Sequence, residues 1–236
     1  MIDMEKNIVI GIEGHVGAGK TSICKYLLDK IPNSIILHGG NIYRAIVYTI
    51  MQSGIKLQDL NKKMNDMDVM ELLQKFNIDV KIEDRESVIY INGKKINPEE
   101  LQSNNTSMAV SIVANIADNT KLYEYGKKLI EHFKEEYNVI LSSRDIMKMY
   151  PDTDYHFFIT ASLEERVNRK YLQYDANIKK EEIQKTIIKR DKLQEDSGYY
   201  KIYPNTIVID TTDSKSIKDA SHKLLESIKI TSLKNV

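Results

Sequence analysis

The stretch that most constrains the fold of this chain is Gly14-His15-Val16-Gly17-Ala18-Gly19-Lys20-Thr21, which fits the pattern G-x-x-x-x-G-K-[ST]. Ahead of it, Ile8-Val9-Ile10-Gly11-Ile12 is a short apolar run suited to a strand buried on both faces. Behind it, Ser22-Ile23-Cys24-Lys25-Tyr26-Leu27-Leu28 carries apolar residues at helical spacing and ends near Pro32. A strand, a glycine-rich turn and a helix in that order form an anion cradle. Backbone N–H groups wrap the phosphates and the helix adds its positive end. Lys20 reaches the β- and γ-phosphates, and Thr21 offers a hydroxyl to Mg²⁺. Gly14, Gly17, Ala18, Gly19, Lys20 and Thr21 are therefore predicted to hold a nucleoside triphosphate.

The rest of the composition narrows the class. The 236 residues suffice for one domain with a sizeable core. Basic and acidic residues balance at 34 each, so neither nucleic acid nor an anionic membrane is expected as a partner. A single cysteine, Cys24, rules out an internal disulfide framework and a multi-cysteine metal site, and its place on the apolar face of the first helix reads as core packing. No apolar leader pattern and no membrane-length run are present, so a cytoplasmic monomer is expected.

Only six of the 34 basic residues are arginine, at positions 44, 85, 144, 166, 169 and 190. A chain that otherwise uses lysine has kept the rigid fork that grips phosphate bidentately at a few places. Arg85, in the charged turn Glu83-Asp84-Arg85-Glu86, is the weakest candidate for a phosphate contact.

Strand-like runs at Ile8–Ile12, Ser34–His38, Val139–Ser142, Tyr155–Thr160 and Thr206–Asp210 alternate with helical patterns. The rhythm predicts an α/β fold: a doubly wound, parallel five-stranded sheet of the P-loop NTPase type, with ligands at the carboxyl ends of its strands. A capping box, Ser162-Leu163-Glu164-Glu165, opens one helix. Two β-like runs, Ile78–Ile82 and Ser87–Ile91, break the rhythm. They predict a small antiparallel insert outside the parallel core, with Asn92-Gly93 as a further turn. The polar stretch at 174–180 suits a lid.

In this setting the chain resembles the bacterial cytidylate (CMP/dCMP) kinases over nearly its whole length. Ile10–Thr21 matches their phosphate-loop segment, and Leu37-His38-Gly39-Gly40-Asn41-Ile42-Tyr43-Arg44 their next motif. Ile91-Asn92-Gly93-Lys94-Lys95-Ile96 looks like the segment that ends their β insert. Ser143-Arg144-Asp145-Ile146 and Tyr150-Pro151-Asp152-Thr153 echo G-R-D-I and F-P-D-A. Phe158–Ser162, Glu165-Arg166, Arg169-Lys170-Tyr171, Arg190-Asp191 and Ile209–Thr212 follow in the family's order.

The resemblance implies a single P-loop kinase domain, with a monophosphate-binding region at about 41–119 and a helical lid at about 171–190. It implies phosphoryl transfer from ATP, with Mg²⁺, to CMP or dCMP. Lys20, Arg144, Arg166, Arg169 and Arg190 would act in catalysis. Arg44, Arg144, Asp145 and Ser111 would bind the acceptor, and Thr21 the metal.

Several acceptor-facing positions depart from the family pattern. His38 and Gly39 replace an acidic and a hydroxyl residue, Gln102 an arginine, Ser142 a glutamate, and Lys121 stands near a missing arginine. Tyr199 takes the place of the last arginine of R-D-x-x-D-S-x-R, whether or not a two-residue shift restores Asp196-Ser197 as Asp-Ser. His38 reads either as a catalytic or metal-binding group or as a hydrogen-bonded strand-end residue. Tyr199, Tyr200 and Tyr203 read either as a base-stacking cluster or as packing of the lid hinge. Two other functions stand beside the leading one: a deoxynucleoside kinase, suggested by Ile12-Glu13-Gly14, and a nucleotide-binding regulatory module without transfer.

Overall fold

The computed structural model describes residues 6–52, 54, 69–101, 106, 110, 120–173 and 178–234. Five strands run parallel in the order β2 (Ser34–His38), β6 (Asn138–Ser142), β1 (Val9–Gly14), β7 (Tyr155–Thr160) and β8 (Thr206–Asp210). Their registers align Gly14 with Ile159, Ser142 with both Ile12 and His38, and Thr160 with Asp210, so the carboxyl ends share one rim.

Residues alternate between two apolar layers, as a sheet covered on both faces requires. Ile10, Ile12, Ile36, Ile140, Phe157 and Ile159 pack under α1 (Lys20–Lys30) and α9 (Ile217–Lys234). Val9, Ile35, Leu37, Val139 and Leu141 face α2 (Gly39–Gln52), α3 (Val69–Lys75) and α5 (Thr120–Lys134). The doubly wound sheet is thus the one the alternation of runs predicts. Among the described residues no helix is long and apolar enough to cross a membrane.

The insert is not detached from this sheet. β3 (Ile78–Glu83) and β4 (Glu86–Ile91) form the antiparallel hairpin, turning through Asp84 and Arg85 at φ 49° and 66°. The short β5 (Lys94–Lys95) pairs back onto β4, and β4 docks in parallel beside β2. Arg85 locks that junction. Its guanidinium donates to Ser34 O at 3.0 Å and to Leu28 O at the end of α1, while its carbonyl accepts the Ile36 N–H at 2.8 Å. The insert, expected outside the core, therefore extends the sheet edge.

After β6 a short helix α6 (Ile146–Met149) follows Asp145, and α4 (Pro98–Leu101) follows the insert. The lid side is built from α7 (Leu163–Tyr171) and α8 (Lys180–Asp196). Ser162 caps α7, its Oγ accepting the Glu165 N–H at 3.2 Å. The Glu165 side chain completes no capping box and instead accepts from Arg169 at 2.8 Å. Ile183 and Ile187 of α8 pack with Val167 and with Val16 of the phosphate loop, so the two helices and the loop share a small core of their own.

Candidate active site

The chain leaves β1 toward β2 and leaves β6 toward β7, so the crevice between the ends of β1 and β6 is the topological switch point where such sheets take ligands. A cleft of about 290 Å³ lies there. Gly14, Val16, Gly17, Lys20 and Thr21 form one wall, and residues 38–44 of the β2–α2 junction another. Ser142, Ser143 and Arg144 close the floor, Leu122, Tyr123 and Gly126 of α5 one end, and Lys170, Arg190, Gln194, Tyr199 and Tyr200 the lid side.

Five of the lining residues are cationic, namely Lys20, Arg44, Arg144, Lys170 and Arg190, and none of the described lining residues is Asp or Glu. Their mutual repulsion and loss of water show in their proton affinities. Lys20 is pushed down to about 7, by desolvation first and then by Arg144. Arg44 is pushed down to about 10 by burial, then by Arg144 and Arg190. Arg144 is lowered by burial, then by Arg190. The buried Nε atoms of Arg44 and Arg190 have no hydrogen-bond partner among the described residues. Buried donors left unpaired are costly, and a polyphosphate entering this cleft would satisfy them.

The loop that meets such an anion is held open by its own backbone. Gly14 has φ 143°, and a Cβ there would stand 2.0 Å from the Ile159 carbonyl oxygen, so only glycine lets β1 end against β7. Lys20 Nζ donates to Gly14 O at 2.6 Å and to His15 O at 2.9 Å, parked across the loop it belongs to. Thr21 lies exposed at the cleft wall. Ala18 and Gly19 complete the loop without lining the cleft, with Gly19 the left-handed N-cap of α1.

Of the arginines singled out from sequence, Arg44, Arg144 and Arg190 converge on the cleft, and Arg166 and Arg169 do not line it. Arg166 is buried. It donates to Ala161 O and Val16 O, both at 3.1 Å, and pairs with Asp191. Arg169 donates to Ala18 O at 3.3 Å and to Thr211 O at 2.6 Å, besides its pair with Glu165. Both clasp the back of the phosphate loop.

The acceptor-facing departures acquire physical reasons. Gly39 must be small, because a Cβ there would lie 2.6 Å from Ser143 Oγ. His38 is held by Glu86, Nε2 to Oε2 at 3.0 Å, and Lys25 approaches the other carboxylate oxygen at 3.4 Å. Burial raises the Glu86 carboxyl, but the His38 hydrogen bond and the Lys25 charge outweigh it and hold it below its usual value. The hydrogen-bonded reading of His38 is the one this geometry favours. Asp145 is 5% exposed and stands behind the cleft wall, accepting from the Tyr123 hydroxyl at 2.6 Å and paired with Lys148.

Tyr200 packs edge-on against His15 and Phe158, and Tyr203 lies against His156; Tyr199 and Tyr200 line the cleft and Tyr203 does not. His15 also meets Thr160, Nδ1 to Oγ1 at 2.9 Å, so its side chain and not only its backbone is used. Glu13 is buried, accepting the Ile146 N–H and lying 3.3 Å from His156 Nε2, and does not line the cleft.

Ser111, Gln102 and the polar stretch at 174–177 lie outside the described residues. Sequence reasoning passed over Tyr123, Gln194 and Tyr43 as wall residues. Gln194, buried at 2%, was findable: it is four residues beyond Arg190 in the unshifted R-D-x-x-D register, one helical turn along the same face.

Comparisons with known proteins agree with this arrangement. A family model described as cytidylate kinase matches residues 10–230. A cytidylate kinase of Clostridioides difficile is 32% identical over 230 residues, spanning 95% of this chain and 99% of that one. One from Caldanaerobacter subterraneus is 34% identical over 87% of this chain and 88% of its own, and one from Bacillus subtilis 30% identical over 95% and 98%. By a family match that runs through nearly all of its sheet and every wall of the cleft, this chain belongs to the cytidylate kinase family.

Proposed function

We infer that this chain transfers the γ-phosphoryl group of ATP to a nucleoside monophosphate, with CMP or dCMP as the acceptor. The observation that carries the reading is the cleft itself, where among the described residues five cationic side chains and no carboxylate line the space at the end of the phosphate loop. Such a wall suits two phosphate chains brought end to end. An oxygen of the acceptor's phosphate attacks the γ-phosphorus, and the bond to the bridging oxygen breaks as ADP leaves. No protein nucleophile is required, so the work is alignment and neutralisation of charge.

Lys20 would exchange the carbonyls of Gly14 and His15 for the donor's β- and γ-oxygens. Arg44 and Arg144 would hold the acceptor phosphate, and Arg190 would meet the charge that develops on the transferring group. Arg166 and Arg169 would act one step back, by fixing the shape of the loop.

Thr21 fits a Mg²⁺ site in part. It supplies one exposed hydroxyl, and no cluster of three metal-ligating side chains occurs among the described residues. The ion would accordingly share Thr21 with phosphate oxygens and water, as Mg²⁺ bound with a nucleotide commonly does. When bound, it neutralises charge between the β- and γ-phosphates.

The test is ADP release from ATP·Mg²⁺ with CMP, dCMP, UMP, AMP, GMP and free nucleosides offered singly. Turnover with cytidine monophosphates is expected. Activity on nucleosides alone would restore the deoxynucleoside kinase reading, which the burial of Glu13 disfavours. Inactivity with every acceptor would leave a binding module.

A further inference from the structure

Met149 ends α6 and lines the cleft, where it is 8% exposed. Its side chain occupies room that two glycines leave. A Cβ on Gly126, inside α5, would collide with Met149 Sδ and stand 3.1 Å from its Cγ. A Cβ on Gly39, at the start of α2, would lie 3.7 Å from Met149 Cε. Glycine inside a helix is less stable than alanine, and what Gly126 makes room for is this thioether. The side chain therefore spans from α5 to α2 across one end of the cleft.

The lining changes character along the cleft. Phosphates are drawn to Lys20, Arg44, Arg144 and Arg190, while Met149 packs in one apolar cluster with Ile42, Val110 and Leu122, which line the cleft beside it. A nucleobase is the part of the acceptor that suits apolar walls. A purine exceeds a pyrimidine by a fused ring, so the depth of this end decides between them. We propose that Met149 sets the size of the acceptor's base, its thioether filling the depth that the second ring of a purine would need. It acts by occupying space and makes no hydrogen bond to the base. The inference rests on the monophosphate kinase reading and adds to it the residue that limits the acceptor to one-ring bases.

The experiment compares kcat/KM for CMP and for AMP in wild type, Met149→Ala, Gly126→Ala and the double variant, each checked for an unaltered circular dichroism spectrum. AMP is the purine to use because adenine, like cytosine, carries an exocyclic amino donor, which leaves size as the main difference. Lys20→Met, purified in the same way, is the blank for contaminating kinases. Wild type favours CMP. Met149→Ala opens an apolar space of the kind that stays dry and takes up a ring. It raises kcat/KM for AMP about tenfold over wild type, a gain that no loss of structure produces. Gly126→Ala acts in the opposite sense. Its methyl drives the flexible thioether aside into the cleft, and KM for CMP rises severalfold. In the double variant that methyl meets no thioether, and KM for CMP returns toward the value of Met149→Ala.

A folded Met149→Ala with no gain on AMP overturns the proposal. So does a double variant whose KM for CMP stays as high as in Gly126→Ala, or a wild type that turns over AMP as readily as CMP. If Met149→Ala does not fold, Met149→Val, a smaller truncation, carries the same test with a smaller expected gain. Wild type that phosphorylates no monophosphate overturns the kinase reading beneath it, and is distinguished by failing before any variant is compared.

Discussion

The Asp191 carboxylate accepts the Val16 amide at 3.2 Å, and through this contact a lid helix reaches into the phosphate loop. Its other oxygen pairs with Arg166, which itself donates to Val16 O, and Tyr200 donates to Asp191 at 2.9 Å. Loop and lid are thus one bonded unit around a nearly buried ion pair, with side chains 9% and 13% exposed. Removing one partner of such a pair strands the other. Asp191→Ala is expected to lower stability by about 3 kcal/mol, read from urea denaturation midpoints. A loss within a few tenths of a kcal/mol would mean the pair is solvated and the clasp unimportant.

Arg190 precedes Asp191 on the same helix but turns into the cleft, its buried Nε without a partner among the described residues. Lysine keeps the charge and loses the fork. A positioned arginine contributes about 10³–10⁵ to phosphoryl transfer rates, so Arg190→Lys should lower kcat by orders of magnitude while thermal stability holds or improves. Near-normal turnover would remove Arg190 from the transfer step.

Lys20 sets a pH signature. Its folded-state value of about 7 lies below the 10.5 of an unfolded lysine, so between those values the unfolded chain binds the proton and the folded chain does not. Stability from this group is reduced in full below pH 7 and recovers as pH rises from about 7 toward 10.5. A bound triphosphate favours the ammonium. Nucleotide binding at pH 8 should therefore take up a proton, measured by calorimetry in buffers of different ionisation enthalpy. Uptake should fade at pH 6 and vanish at pH 8 in Lys20→Met. Equal uptake with and without the lysine would assign the proton elsewhere.

Gly14 and Gly93 both hold positive φ, at 143° and 76°, but only at Gly14 does backbone occupy the space of a side chain. Gly93→Ala should cost about 1 kcal/mol, the ordinary penalty of the left-handed region. Gly14→Ala should cost several times more, because the Ile159 carbonyl cannot move without breaking the β1–β7 register. Comparison of melting temperatures tests this, and similar shifts for the two variants would refute it.

The donor half of the cleft was legible in residues 8–32, because strand, loop and helix are consecutive and each carries its own local signal. The parallel sheet was legible for the same reason, strand by strand. The acceptor half was harder to read, since its walls come from α2, α5, the end of β6 and the lid, and no local pattern says which side chain meets which. Arginine usage pointed to phosphate at five positions. Three line the cleft, while Arg166 and Arg169 found carbonyls of the loop nearer to hand than the cleft. Arg85, set aside as unpromising, joins the insert to the sheet through Leu28 and Ser34, contacts 51 to 57 residues away that no turn pattern reports. Helical geometry resolves the lid register in favour of Gln194, which faces the cleft where Asp196 does not.

The central claim is that this cleft carries a phosphoryl group from one nucleotide directly to another. The most direct measurement is the fate of label from γ-³²P-ATP incubated with CMP, Mg²⁺ and the protein. Label recovered in CDP, and lost from CDP in Lys20→Met, is the predicted result; label released as inorganic phosphate, or retained in ATP at all acceptor concentrations, would contradict the account.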